Sequence, residues 1–214
     1  MNYLVFEAFF IPSAAVAGQC LARFGVYRPI HFVGFFLLTL GPGLNILLTS
    51  TTTTAVWAVL VALNAIGLGI MISTVLPAVL SSLAESDVAV ATGMYSFLRS
   101  FGFIWGATIP GRIFNASFDR HIGIIEDAGV RQLMSHGDAY QFASGPYIRT
   151  LSTKLQAQVV EVYVKALRVG WEAAIAFGCF GLLLVYVQKH HDLDRIHKTE
   201  FGIEKGPSTD EVKN

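Results

Sequence analysis

Apolar residues in this chain come in long blocks, not in alternation. A helix needs about 20 mostly apolar residues to cross the hydrocarbon core of a bilayer. Five stretches approach or exceed that length: residues 3–21, 29–48, 56–83, 90–114 and 169–187. The third is longer than a crossing requires, so it is expected to tilt or to extend into the interface. Short polar links join the first four: one carries Arg23 and Arg28, one is the Ser/Thr run 49–54, and one holds Glu85, Ser86 and Asp87. The pattern predicts an all-α, polytopic transmembrane helical bundle of about five spans.

Residues 115–168 are of another kind. They mix apolar positions with Asp119, Arg120, His121, Glu126, Asp127, Arg131, Arg149 and Lys154, and such a stretch cannot face lipid. Within it Leu155, Val159, Val162, Val164 and Leu167 mark an amphipathic helix that leads into the fifth span. Five spans put the termini on opposite sides. The Arg23/Arg28 link then shares a side with the tail and its Lys189, Arg195, Lys198, Lys205 and Lys213, while the facing link 49–54 has no Lys or Arg. Positive-inside counting makes that side cytoplasmic. The expected organisation is four spans in 1–114, an extracellular loop with an amphipathic helix in 115–168, a last span in 169–187 and a cytoplasmic tail in 188–214. No basic residue precedes the first block and Glu7 interrupts it, which is wrong for a cleaved signal peptide.

Composition supports lipid as the solvent. The chain is 53% hydrophobic and only 14% charged, with a mean hydropathy of +0.55, whereas soluble domains carry about 25% charged residues. A formal net charge of zero gives no reason to expect a nucleic-acid partner. Cys20 and Cys179 lie far apart in apolar segments and are expected as buried free thiols. His190, His191 and His197 form a single cluster, too little for a membrane metal enzyme. No Ser/His/Asp set, phosphate-binding loop or dinucleotide fingerprint is present, so no catalytic residue, metal or cofactor is expected and the chain does not read as an enzyme.

Several stretches resemble the major facilitator superfamily, and most closely its fungal fourteen-span drug:proton antiporter branch. They are Arg23-Phe24-Gly25-Val26-Tyr27-Arg28-Pro29, Ala65-Ile66-Gly67-Leu68-Gly69, Leu76-Pro77-Ala78-Val79, Glu85-Ser86-Asp87 with Ala91-Thr92, Phe97-Leu98-Arg99-Ser100-Phe101-Gly102, Trp105-Gly106, and Ile109-Pro110 running to Asn115. The resemblance implies the carboxy-terminal portion of a multidrug or toxin efflux pump, with the long loop before the last span outside the cell. It also implies that a missing N-terminal half is needed for transport. The first basic loop and the antiporter signature of that half have no counterpart here, and Val26 stands where a second charge is common.

Candidate residues follow from charge and polarity within the spans. Arg99 lies about 13 Å along the fourth span at 1.5 Å per residue. It either faces a central cavity or snorkels to the edge and braces the inner gate. Asn64 and Met71 lie on one stripe of the third span, and Tyr95 and Trp105 on the fourth. All four are substrate or cavity candidates, with helix packing as the alternative. Glu7 and Glu172 are protonatable groups for proton coupling. The alternatives are an interfacial glutamate for Glu7 and, for Glu172, an ion pair with Arg168 at i, i+4. Arg23, Gly25 and Arg28 are assigned to a loop that locks conformations, and Gly102 with Gly106 to close helix packing. Asn115-Ala116-Ser117 is a glycosylation sequon close to a span.

The functional expectation is alternating-access transport of small molecules, coupled to protons and located at the plasma membrane. Its partners would be the lipid bilayer, a small-molecule substrate and the proton. The other reading is a truncated, non-transporting membrane protein that serves as a structural or regulatory partner.

Overall fold

A computed structural model describes residues 2–188, apart from 50, 51, 136, 141, 143 and 144. The tail histidines and the cytoplasmic tail assignment lie outside the described residues. The chain forms α1 (Asn2–Phe24), α2 (Arg28–Asn45), α3 (Thr54–Leu80), α4 (Val88–His121), α5 (Ala128–Met134), α6 (Gly145–Thr150) and α7 (Thr153–Val187). Among the described residues there is no strand. The molecule is a membrane helical bundle. Tyr3–Phe24, Thr54–Leu80 and Thr153–Val187 are each long and apolar enough to cross a bilayer, with mean hydropathies of 1.6, 2.3 and 1.7. Helices also stand at the second and fourth expected positions. They fall below that measure because α2 carries Arg28, His31 and Asn45, and α4 carries Arg99, Arg112 and a charged last turn.

α3 is apolar on all sides because it is sandwiched, with α1 on one flank and α2 on the other. Bare glycine backbone lets these helices touch. A Cβ at Gly69 would stand 2.6 Å from the Phe10 carbonyl oxygen, and one at Gly67 would stand 3.1 Å from the Leu38 amide nitrogen. α2 and α7 then pair antiparallel in a regular register: His31 lies opposite Gln188, Phe35 opposite Gly181, Thr39 opposite Gly178 and Gly43 opposite Ile175. The sequence α1–α3–α2–α7–α4 describes the order of packing, and α4 touches α3 only slightly.

Two boundaries differ from the hydrophobic pattern. α4 continues to His121, past the expected end of its span at 114, and the amphipathic segment and the last span are one helix, α7. Backbone hydrogen bonding continues past an apolar stretch wherever the next turns find something to bury. Here Phe114 and Phe118 of α4 pack on Val159, Val162, Tyr163 and Ala166 of α7. The Phe114 and Phe118 rings lie 5.9 and 5.0 Å from the Tyr163 ring, centroid to centroid. From the chain between α4 and α7, Ile125, Val130, Met134 and Ala139 join the same core. Asp127 caps α5 by accepting from the Val130 amide at 2.8 Å. The stretch of mixed polarity is therefore a small packed cap, and it holds the largest buried cluster among the described residues.

Both cysteines are free, but neither is fully buried: Cys20 is half-buried and Cys179 exposed. That corrects the expectation of buried thiols. Cys179 lies on the outer face of α7 with exposed Phe177, Phe180 and Leu183, a surface that lipid can solvate. The Asn115 sequon lies inside α4 with Ser117 buried.

Candidate functional site

α4 is the most unusual element. Every residue from Ser96 to Thr108 is exposed, on all sides of the helix. Only its last turns, at Phe114 and Phe118, pack closely on another described helix. This helix carries Tyr95, Arg99, Gly102, Trp105 and Gly106. The Arg99 guanidinium lies 5.6 Å over the Phe103 ring centroid, a cation–π contact within one turn. Phe97, Phe101 and Trp105 form an i, i+4 ladder, with Phe101 and Trp105 edge to face at 6.0 Å. A Cβ at Gly102 or Gly106 would meet nothing within 4 Å, so neither glycine packs against a described helix.

The other site residues from the sequence lie elsewhere. Asn64 and Met71 of α3 face α2, where Gly41 accommodates the Asn64 amide and Gly34 the Met71 sulfur. The Asn64 Nδ2 donates to the Leu60 carbonyl at 2.9 Å. Glu7 is exposed on α1. Among the described residues, neither Glu7 nor Arg99 has an ion-pair partner. Glu172 is exposed on α7 and lies 3.5 Å from the Arg168 Nε. The fold does not join Glu7, Arg99 and Glu172 into one cluster.

At the opposite end of the bundle from the cap, the Arg23–Arg28 turn is tightly made. Gly25 adopts a left-handed φ of 65° and its amide returns to the Leu21 carbonyl at 2.9 Å, which closes α1. Arg23 points outward, whereas Arg28 donates from Nη2 to the Tyr186 carbonyl at 3.0 Å. That carbonyl belongs to the last turn of α7 and has no partner within the helix. Beside it His31, 3% exposed, lies with Nδ1 3.2 Å from the Gln188 Oε1. The His31 Nε2 is buried without a hydrogen-bond partner. His31 and Gln188 were not legible as a pair, because residues 157 apart in sequence carry no local signal. The one hint was a histidine in the first turn of an apolar helix. Among the described residues, no three His, Cys, Asp or Glu side chains gather as a metal site.

This geometry defines a polytopic helical membrane protein, and sequence comparison says which kind. MFS efflux transporter aclA of Aspergillus oryzae is 41% identical over 204 residues, which span 95% of this chain and 37% of that transporter. Efflux pump FUS6 of Gibberella fujikuroi is 35% identical over 95% of this chain and 37% of the pump. MFS-type efflux transporter ffsH of Aspergillus flavipes is 35% identical over 100% of this chain and 38% of its own length. By these matches the chain belongs to the major facilitator superfamily, and it spans about 37% of the length of the curated relatives it matches. No family model and no solved structure matches it.

Proposed function

We propose that this chain supplies the carboxy-terminal wall of a proton-coupled efflux transporter for small amphipathic drugs or toxins. The carrying observation is α4: an exposed helix with a buried-type charge, aromatics and two glycines needs another set of helices against it. Similarity to fungal efflux transporters along nearly the whole chain supports the same reading. In it, an N-terminal half packs on the Gly102/Gly106 face, while Tyr95, Arg99 and Trp105 line the cavity between the halves. Asn64 and Met71 reach that cavity only when α2 and α3 part. Glu7 and Glu172 are the carboxyl groups available to carry protons, since lost hydration raises a carboxyl pKa toward neutrality. The Arg23/Gly25/Arg28 turn and the tail face the cytoplasm, the cap stands outside the plasma membrane, and the halves rock about the midplane.

Substrate uptake into inside-out plasma-membrane vesicles tests this, with the chain produced alongside an N-terminal half. Uptake is expected to depend on both parts and to vanish with a protonophore. Uptake that persists without a proton gradient overturns the coupling, and none with both halves present overturns the transporter reading.

A further inference from the structure

The seam between α7 and the α2–α3 link opens into two cavities, of about 630 and 590 Å³, inside the range of roughly 300–1,000 Å³ usual for small-molecule clefts. They are neighbours, because Thr49, Val164 and Arg168 line both. The first also has Trp57 from the start of α3 and Trp171 from α7 in its wall, with Asn45 at the end of α2. Two indoles from separate helices at one level, with an arginine beside them, are the side chains that settle where hydrocarbon gives way to headgroups. Arg168 makes one long contact, from Nε to Glu172 at 3.5 Å, which leaves its Nη groups for another acceptor. Below the cavities the Arg168 face of α7 exposes Leu183 and Tyr186, and α2 exposes Phe32 and Phe36, apolar surface that in a membrane is covered by acyl chains.

We infer that this seam is a phospholipid site. The lipid phosphodiester sits on the Arg168 guanidinium, whose planar fork matches phosphate oxygens. Its glycerol region lies between Trp57 and Trp171, and an acyl chain runs down the outer face of α2 and α7. The wall mixes charges, with Glu161 and Lys165 paired at 2.7 Å in the second cavity. That balance suits a zwitterionic headgroup better than a purely anionic one. The site is on the opposite flank of α7 from the α4 contact, so it rests on the membrane-spanning fold and not on the direction or coupling of transport.

The test uses the 214-residue chain purified in dodecyl maltoside with phosphatidylcholine added, observed by native mass spectrometry. One retained phospholipid per chain is expected. Arg168→Ala should lower its retention by about tenfold, as loss of a charge-assisted hydrogen-bond pair does, while Arg112→Ala on α4 leaves it unchanged. As a second readout, phosphatidylcholine brominated along its chains should quench Trp57 and Trp171 saturably in a Trp105→Phe background, and Arg168→Ala should abolish the saturation. Equal retention in all variants means an unspecific lipid annulus and overturns the proposal. Displacement by inorganic phosphate alone means an anion site and overturns it too, as does phosphatidylglycerol binding more tightly than phosphatidylcholine for the zwitterionic assignment.

Discussion

Gly69 of α3 and Phe10 of α1 touch backbone to backbone, with only 2.6 Å between the Phe10 carbonyl oxygen and the place where a Cβ on residue 69 would stand. A backbone oxygen cannot swing away as a side chain can, so a methyl group here must push the two helices apart. Gly69→Ala is expected to cost about 1–3 kcal/mol, the range for overpacking a close contact. A lower thermal midpoint of the detergent-solubilised chain measures it. An unchanged midpoint would mean that α1 and α3 do not meet at this register.

Gly102→Ala should behave in the opposite way. With nothing within 4 Å of the added methyl, the isolated chain should be unharmed or gain up to about 1 kcal/mol from helix propensity. In vesicles that also hold an N-terminal half, the same change should cut transport. Loss of stability in the isolated chain would show that α4 already has a partner within it.

The cap offers a test of its buried core. The Tyr163 hydroxyl donates to the Ala139 carbonyl, buried under the cap. Tyr163→Phe is expected to cost about 1 kcal/mol for that bond, and Phe118→Ala about 3–5 kcal/mol for an emptied aromatic position. Limited trypsinolysis at Arg131 and Arg149 should accelerate in that order. Identical cleavage rates in both variants and the parent would show that 122–152 is not packed on α4 and α7.

Acid should loosen the same cap. The Lys154 ammonium, bonded to Glu126 at 2.6 Å, holds the Glu126 carboxyl below its ordinary value of 4.5, first by that hydrogen bond and then by charge. A carboxyl depressed in the folded state stabilises above its unfolded pKa, and the contribution is lost as pH falls through the folded value. Both side chains are well exposed, so the effect is small. The rise in amide hydrogen exchange at residues 126–134 between pH 5 and pH 3, each rate corrected for its intrinsic pH dependence, should be smaller in Glu126→Gln. An identical rise would place the acid-sensitive contact elsewhere.

The Arg28–Tyr186 and His31–Gln188 contacts pin the last turn of α7 to the first turn of α2. Arg28→Ala should speed amide hydrogen exchange at residues 184–188 by about fivefold, the equivalent of one hydrogen bond near 1 kcal/mol. His31→Ala should add to it. Exchange confined to its parental rate in both variants would show that the helix end holds without them.

Much of the fold was legible because lipid imposes a simple rule: a crossing helix must be apolar for a fixed length, and that length can be counted along the chain. The five helix positions followed from it; of the amphipathic stripe, Val159 and Val162 are fully buried but Leu167 is exposed, and Tyr163 and Ala166 complete the buried face. The site was less legible. Arg99 stood out because a charge among apolar residues is costly, yet whether Asn64 faces a cavity or a neighbouring helix depends on the rotation of α3 against Gly41.

Sequence by itself determined where the long helices stand, where polar chain interrupts them and which superfamily they belong to, since these depend on local composition and on matched residues. Only the tertiary structure decided that the end of α4 and the start of α7 share a core with Ile125, Val130, Met134 and Ala139, that α4 stands almost free of α3, and that His31 meets Gln188. Those outcomes come from side chains far apart along the chain arriving at one place, and no periodicity within a single segment encodes where its neighbour will be.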